Sequence, residues 1–133
     1  MSMFYEKKDF VKAELDKNLS SVIVHWEDLN DGDVVKECTL AQLEEVKGGA
    51  KTIIVNTKNS KGSPPMEIQY WFQNELFPKL AEAGLKAIIT VKSEKLSTRA
   101  ASVRWELTGS MFDFEMYDTD ELDAARELAK SFA

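Results

Sequence analysis

Apolar residues recur along this chain with two periods, and the switches between them mark out its elements. Residues 8–16 alternate loosely, with Phe10, Ala13 and Leu15 among charged neighbours, and predict an edge strand with one wet face. Lys17-Asn18 is a turn signal. Residues 20–26 predict a second strand, with Val22, Val24 and Trp26 on one face and Ile23 and His25 on the other; the short link makes the pair an antiparallel hairpin. Ile53, Ile54 and Val55 stand in a row within residues 51–56, as in a central strand covered on both sides. Ala87-Ile88-Ile89-Thr90-Val91 has the same character. Between these runs lies a long helical pattern, with Ser63 placed to cap it, Pro64 as its first residue and Gly84 as a left-handed stop. A further helix is predicted over about residues 95–107, capped by Ser93, ended by Gly109 and packed through Leu96, Ala100, Val103 and Leu107. Residues 111–117 alternate Phe112, Phe114 and Met116 on one face, a fifth strand. Asp118 and Glu121 have capping-box spacing for a last helix bearing Leu122, Ala125, Leu128, Ala129 and Phe132.

Residues 27–50 admit two patterns. Asn30-Asp31-Gly32 is a turn, after which a single helix can run from about Asp33 to Lys47, stopped by Gly48-Gly49. Alternatively, Val34–Cys38 returns as a strand and a shorter helix starts at Thr39. With the single helix, the order is β-β-α-β-α-β-α-β-α. That order predicts one α/β domain over residues 1–133, a five-stranded mixed sheet with its first strand antiparallel, flanked by four helices.

The long helix carries more apolar surface than one interface needs. At about 100° per residue, Ile68, Phe72, Leu76, Leu80, Phe77 and Tyr70 spread over an arc of about 200°. Trp71 falls outside it, among Glu67, Asn74, Glu75 and Glu82. Pro78 could bend the helix, or a neighbouring helix could cover the indole. The alternative is an interface at Tyr70, Trp71 and Phe77, with a homodimer as the default assembly or another protein as partner.

Composition narrows the function classes. Of 133 residues, 44% are apolar and 30% charged, which is the balance of a folded domain. The net charge is −6 and no basic run occurs, so nucleic acid is not an expected partner and anionic membranes are not an expected anchor. Cys38 is the single cysteine, so no internal disulfide can form. The first ten residues lack a signal-peptide apolar core, and a cytoplasmic protein is expected.

Candidate chemistry is sparse. His25 is the single histidine, and a His25–Cys38 thiol pair would lack any third group to orient it. Asp28-x-Asn30-x-Gly32 has a calcium-loop flavour, but its glycine falls one place early and Thr39 stands where a bidentate Glu is needed. The acidic residues Asp113, Glu115, Asp118, Asp120, Glu121 and Asp123 divide between a strand face and a helix start, which needs no metal. The loop Lys58-Asn59-Ser60-Lys61-Gly62-Ser63 follows a central strand and precedes a helix, where open α/β sheets bind ligands. Lys58, Ser60, Lys61 and Ser63 could hold an anion there, although Pro64 and Pro65 remove two amide donors. No catalytic residue, cofactor site or metal site is assigned.

Trp71-x-x-x-Glu75-x-Phe77-Pro78, followed by Ala83-Gly84-Leu85-Lys86 and an apolar strand, resembles the uncharacterised bacterial STAS/SEC14-like (SpoIIAA-like) family. Val24-His25-Trp26 and the junction Phe114–Leu122 are similar to that family in the same order. Leu76, Asn56 and Pro64-Pro65 depart from its usual pattern, and the phosphorylatable serine motif of the related anti-sigma-factor antagonists is absent. The resemblance implies a STAS-like fold and favours the single helix over residues 33–47. It implies a non-enzymatic interaction or regulatory module. The alternative is a carrier of a small apolar or lipid-like ligand, as in SEC14-type domains, although 133 residues is short for the latter.

Overall fold

The computed structural model describes all 133 residues. Three strands come first: β1 (Ser2–Lys7), β2 (Val11–Asp16) and β3 (Ser21–Trp26). Helix α1 (Gly32–Lys47) leads to β4 (Thr52–Asn56). Next, α2 (Met66–Trp71), a π turn (Phe72–Leu76) and α3 (Phe77–Glu82) run on as one interrupted helix. Then follow β5 (Ala87–Val91), α4 (Leu96–Gly109), β6 (Glu115–Thr119) and α5 (Leu122–Lys130). No helix is long and apolar enough to cross a membrane.

The domain is α/β, with one mixed sheet of six strands in the order β1-β2-β3-β4-β5-β6. The pairs β1–β2 and β2–β3 are antiparallel, and the three that follow are parallel. The sixth strand is the correction to the expected five. β1 has no readable alternation because its pairing slips between Met3 and Tyr5, which leaves the neighbours Phe4 and Tyr5 both half-buried. In register, Val22, Ile53 and Ile88 line one face, and Ile23, Ile54 and Ile89 the other. The first face carries the large core with α1, the interrupted helix and Phe114; the second is covered by α5 through Ala125 and Ala129.

Residues 33–47 are one helix. Asp31 caps it, its Oδ1 accepting from the amides of Asp33 and Val34 at 3.0 and 3.2 Å. The long helix starts two residues later than expected: Pro65 occupies the cap position and no side chain caps it. Its π turn has a local cause. Pro78 has no N–H to give the carbonyl four residues back, and the Phe77 amide bonds instead to the Phe72 carbonyl, five residues back. The extra residue sets later positions back by about 100°, so Leu76, Phe77 and Leu80 all turn into the core.

Three further corrections concern the C-terminal third. The alternating Phe112 and Phe114 do not belong to a strand. Their rings stack 6.0 Å apart in the bend before β6, each against Phe77, and β6 begins only at Glu115. In α4 the inward face is Thr98, Ala101 and Trp105, not the expected Leu96, Ala100, Val103 and Leu107. Gly109 allows α4 to meet β6, because a Cβ there would fall 2.5 Å from Met116 Sδ. Neither expected cap forms: Ser93 Oγ accepts from the Lys95 amide ahead of α4, and Asp118 lies in β6 while Glu121 holds the α5 cap position without a side-chain bond.

Candidate functional site

At the carboxyl ends of the parallel strands, the core is not filled. Trp26 ends β3, while Val55 and Thr90 stand one residue before the ends of β4 and β5. Together with Thr57 they floor a cavity of about 70 Å³. α1 supplies one wall with Val35, Thr39 and Gln42; the interrupted helix supplies Gln69, Phe72 and Phe77. α4 closes it from above with Thr98, Ala101, Ser102, Trp105 and Thr108. This is the end of a parallel sheet where α/β proteins place ligands. A π turn forms one wall, as is frequent at functional sites.

The lining mixes aromatic and aliphatic side chains with hydroxyls and amides, and its exposed surface is mainly apolar. Trp105 sets its ring edge-on to Phe72 at 4.9 Å and to Phe77 at 4.7 Å. Two polar groups in this lining have no partner. Thr90 Oγ1 and Trp105 Nε1 are both fully buried and make no hydrogen bond. Buried donors and acceptors are nearly always paired, and an unmade bond costs about 1–3 kcal/mol. Four of the other five hydroxyls in the lining have local partners. Thr57 Oγ1 donates to the Val91 carbonyl at 2.7 Å, Thr98 Oγ1 to the Gly62 carbonyl at 2.6 Å, and Ser102 Oγ to the Thr98 carbonyl at 3.1 Å. Across the mouth, Arg104 Nε donates to Gln69 Oε1 at 2.8 Å, and Gln69 Nε2 donates to the Pro64 carbonyl at 2.9 Å. These bonds tie α4 to α2 and to the loop before it.

The loop over residues 58–63 borders this site without forming an anion cradle. The amides of Lys58, Ser60 and Lys61 are all engaged, with Asn56 Oδ1 and the carbonyls of Thr57 and Glu27. Lys58 reaches Glu121 Oε1 at 3.0 Å and the Asp120 carbonyl at 2.8 Å, and that carboxylate holds its pKa above the ordinary lysine value. Lys61 lies 4.0 Å from Asp28. Ser60 is buried, and Ser63 is half-buried ahead of the helix. The two lysines therefore already face acids.

The expected interface residues scatter. Phe77 is fully buried. Trp71 is half-buried against the core, with Lys36 Nζ of α1 5.1 Å above its ring, so a neighbouring helix covers the indole within one chain. Tyr70 alone is exposed, at 60%. His25 and Cys38 are not brought together either. Cys38 lies in the α1-side core, where burial pushes its thiol up to about 12. The His25 side chain points to the opposite face of β3 from Val24 and Trp26. There its Nδ1 accepts from Asn56 Nδ2 at 3.1 Å and its Nε2 lies 3.4 Å from Glu14, while burial holds its pKa below the ordinary value.

The cavity residues Thr57, Thr90, Thr98, Ser102, Trp105 and Thr108 were not singled out from the sequence. The signal was available in part. Thr98, Ala101, Ser102, Trp105 and Thr108 recur at helical spacing on α4, a hydroxyl-rich stripe around one indole, opposite the apolar stripe that periodicity favours. Compared with protein-family models, with curated proteins and with solved structures, the chain matches none.

Proposed function

We propose that this domain is a non-enzymatic binding module for a compact, mostly apolar molecule that presents a hydrogen-bond acceptor. The observation that carries this is the pair of unpartnered groups, Thr90 Oγ1 and Trp105 Nε1, on the wall of one cavity whose exposed surface is mainly apolar. A carbonyl or ether oxygen would accept from the indole N–H, and the Thr90 hydroxyl can donate or accept. No acid–base pair or activated nucleophile lines the cavity, so its chemistry is that of holding rather than turning over.

Size sets the class further. A cavity of about 70 Å³ is roughly half the ~150 Å³ that admits benzene in an engineered apolar core. An occupant larger than a few atoms requires α4 to move outward, and the Arg104–Gln69 and Thr98–Gly62 bonds are the ties that must give. Carriage of an apolar ligand corresponds to the alternative expected beside an interaction or regulatory module, not to the leading expectation.

Thermal melting with medium-chain ketones, set against alkanes of the same length, tests the proposal. Ketones should raise the melting temperature more than the alkanes do. Thr90→Val and Trp105→Phe should each reduce that difference. Thr90→Val should also stabilise the empty protein by about 1 kcal/mol, because it removes a buried hydroxyl without a partner. Melting curves indifferent to both compound series, together with a destabilising Thr90→Val, would reject the site.

A further inference from the structure

Helix α4 turns its apolar side away from the molecule. Leu96, Val103 and Leu107 are 84%, 56% and 66% exposed, and Ala100 between them is exposed as well. Their spacings are four, three and four residues, the d-a-d-a order of a heptad seam. Thr98 and Trp105 take the f positions directly opposite, which is why they face the cavity. The seam and the cavity lining are thus two faces of one helix.

We propose that this seam pairs with α4 of a second copy of the chain, antiparallel about a two-fold axis. Leu96 of each copy then packs on Leu107 of the other, and Ala100 packs on Val103. The flanking charges choose both partner and direction. Arg99 and Glu106 occupy g positions; Ser97 and Arg104 occupy e positions. In an antiparallel pair g meets g, so Arg99 of each copy comes beside Glu106 of the other, twice over, once the Glu106 carboxyl turns outward from Asp118 of its own β6. In a parallel pair g meets the next e, which sets Arg99 against Arg104 of the other copy, two like charges. The small Ala100 lets the helix axes come close. Met66 and Tyr70, 56% and 60% exposed, flank Gln69, the α2 residue that Arg104 binds, and widen the apolar face on that side. The seam has only four layers, so a reversible monomer–dimer equilibrium is the expected form.

Sedimentation equilibrium over a concentration series should show this dimer, measured near pH 8, above the pKa of about 7 to which burial and Asp118 raise the Glu106 carboxyl. Val103→Glu sits at an exposed position, so circular dichroism should be unchanged while association weakens at least about tenfold. Arg99→Glu should weaken it as well, and Arg99→Glu combined with Glu106→Arg should restore it. Crosslinking reads the direction. A mixture of Leu96→Cys and Leu107→Cys chains should form a disulfide heterodimer under mild oxidation. Leu96→Cys alone should not, because its two copies lie about 16 Å apart along antiparallel axes. The native Cys38 is buried and stays out of the exchange. A chain that remains monomeric throughout overturns the proposal. So does a dimer indifferent to Val103→Glu, or Leu96→Cys chains that crosslink to each other as readily as the mixture. Seam-dependent binding to phosphatidylglycerol vesicles without self-association would assign the face to a membrane instead.

Discussion

Glu106 sits half-buried on α4 beside Asp118 of β6. Burial first, and then that neighbouring carboxyl, push its own carboxyl up to about 7, while Lys92 pulls the other way. The folded state therefore holds a proton that the unfolded chain releases near 4.5. The stability this contributes is complete below about pH 4.5 and is lost as pH rises toward 7. Glu106→Gln cannot ionise, so it should flatten that slope. Urea unfolding of dilute protein should find the variant more stable than wild type near pH 8, by less than about 1 kcal/mol given the solvent screening of a group this exposed. The difference should vanish near pH 4.5. A variant whose stability tracks wild type across the range would show that the burial of Glu106 has no energetic consequence. Its position could not be inferred from sequence, because Asp118 meets it only across the α4–β6 contact.

Among the elements, the interrupted helix best separates what is local from what is not. Its end was legible: Gly84 adopts φ 93°, the left-handed stop that a helix C-terminus favours. Nothing lies within 4 Å of a Cβ built there, so Gly84→Ala tests backbone strain alone. It should cost about 1–2 kcal/mol in chemical denaturation without disturbing the core. A cost near zero would mean that the turn tolerates a side chain. The middle of the same helix was not legible on a straight wheel. Phe77 falls at the edge of the apolar arc when every residue turns by 100°, yet it is fully buried once the π turn resets the phase. Pro78 supplied a visible hint of a bend but not its sense. α4 misled for the opposite reason. Its strongest apolar stripe was assigned to the core, whereas the face over the cavity is made of hydroxyl-bearing and small residues around the Trp105 indole.

At the scale of the whole molecule, the sheet is the stable frame. Ile54 and Ile89 are completely buried on the α5 side, paired with each other across β4 and β5. Ile54→Ala and Ile89→Ala should each cost about 2–5 kcal/mol in urea unfolding. A cost below about half a kcal/mol for both would remove these strands from the core. The cavity lies on the other face, so neither change should alter the response to ketones. The sheet thus separates a large core that holds the cavity from a smaller core under α5.

The sequence by itself determined the α/β class, the central strands, the hairpin and the approximate extent of every helix but α1. These depend on local period, caps and stops, which a linear chain displays directly. It also marked α1 as one of two possibilities, which the Asp31 cap resolves. The tertiary structure alone decided the rest. β1 joins the sheet by pairing with β2 rather than by any alternation of its own. The lysines of residues 58–63 find acids from α5 and from the exit of β3. Thr90 and Trp105, fifteen residues apart on different elements, come to line one cavity with their polar atoms unpaired. Each of these outcomes depends on distances between segments remote in the chain, and packing, not periodicity, sets those distances.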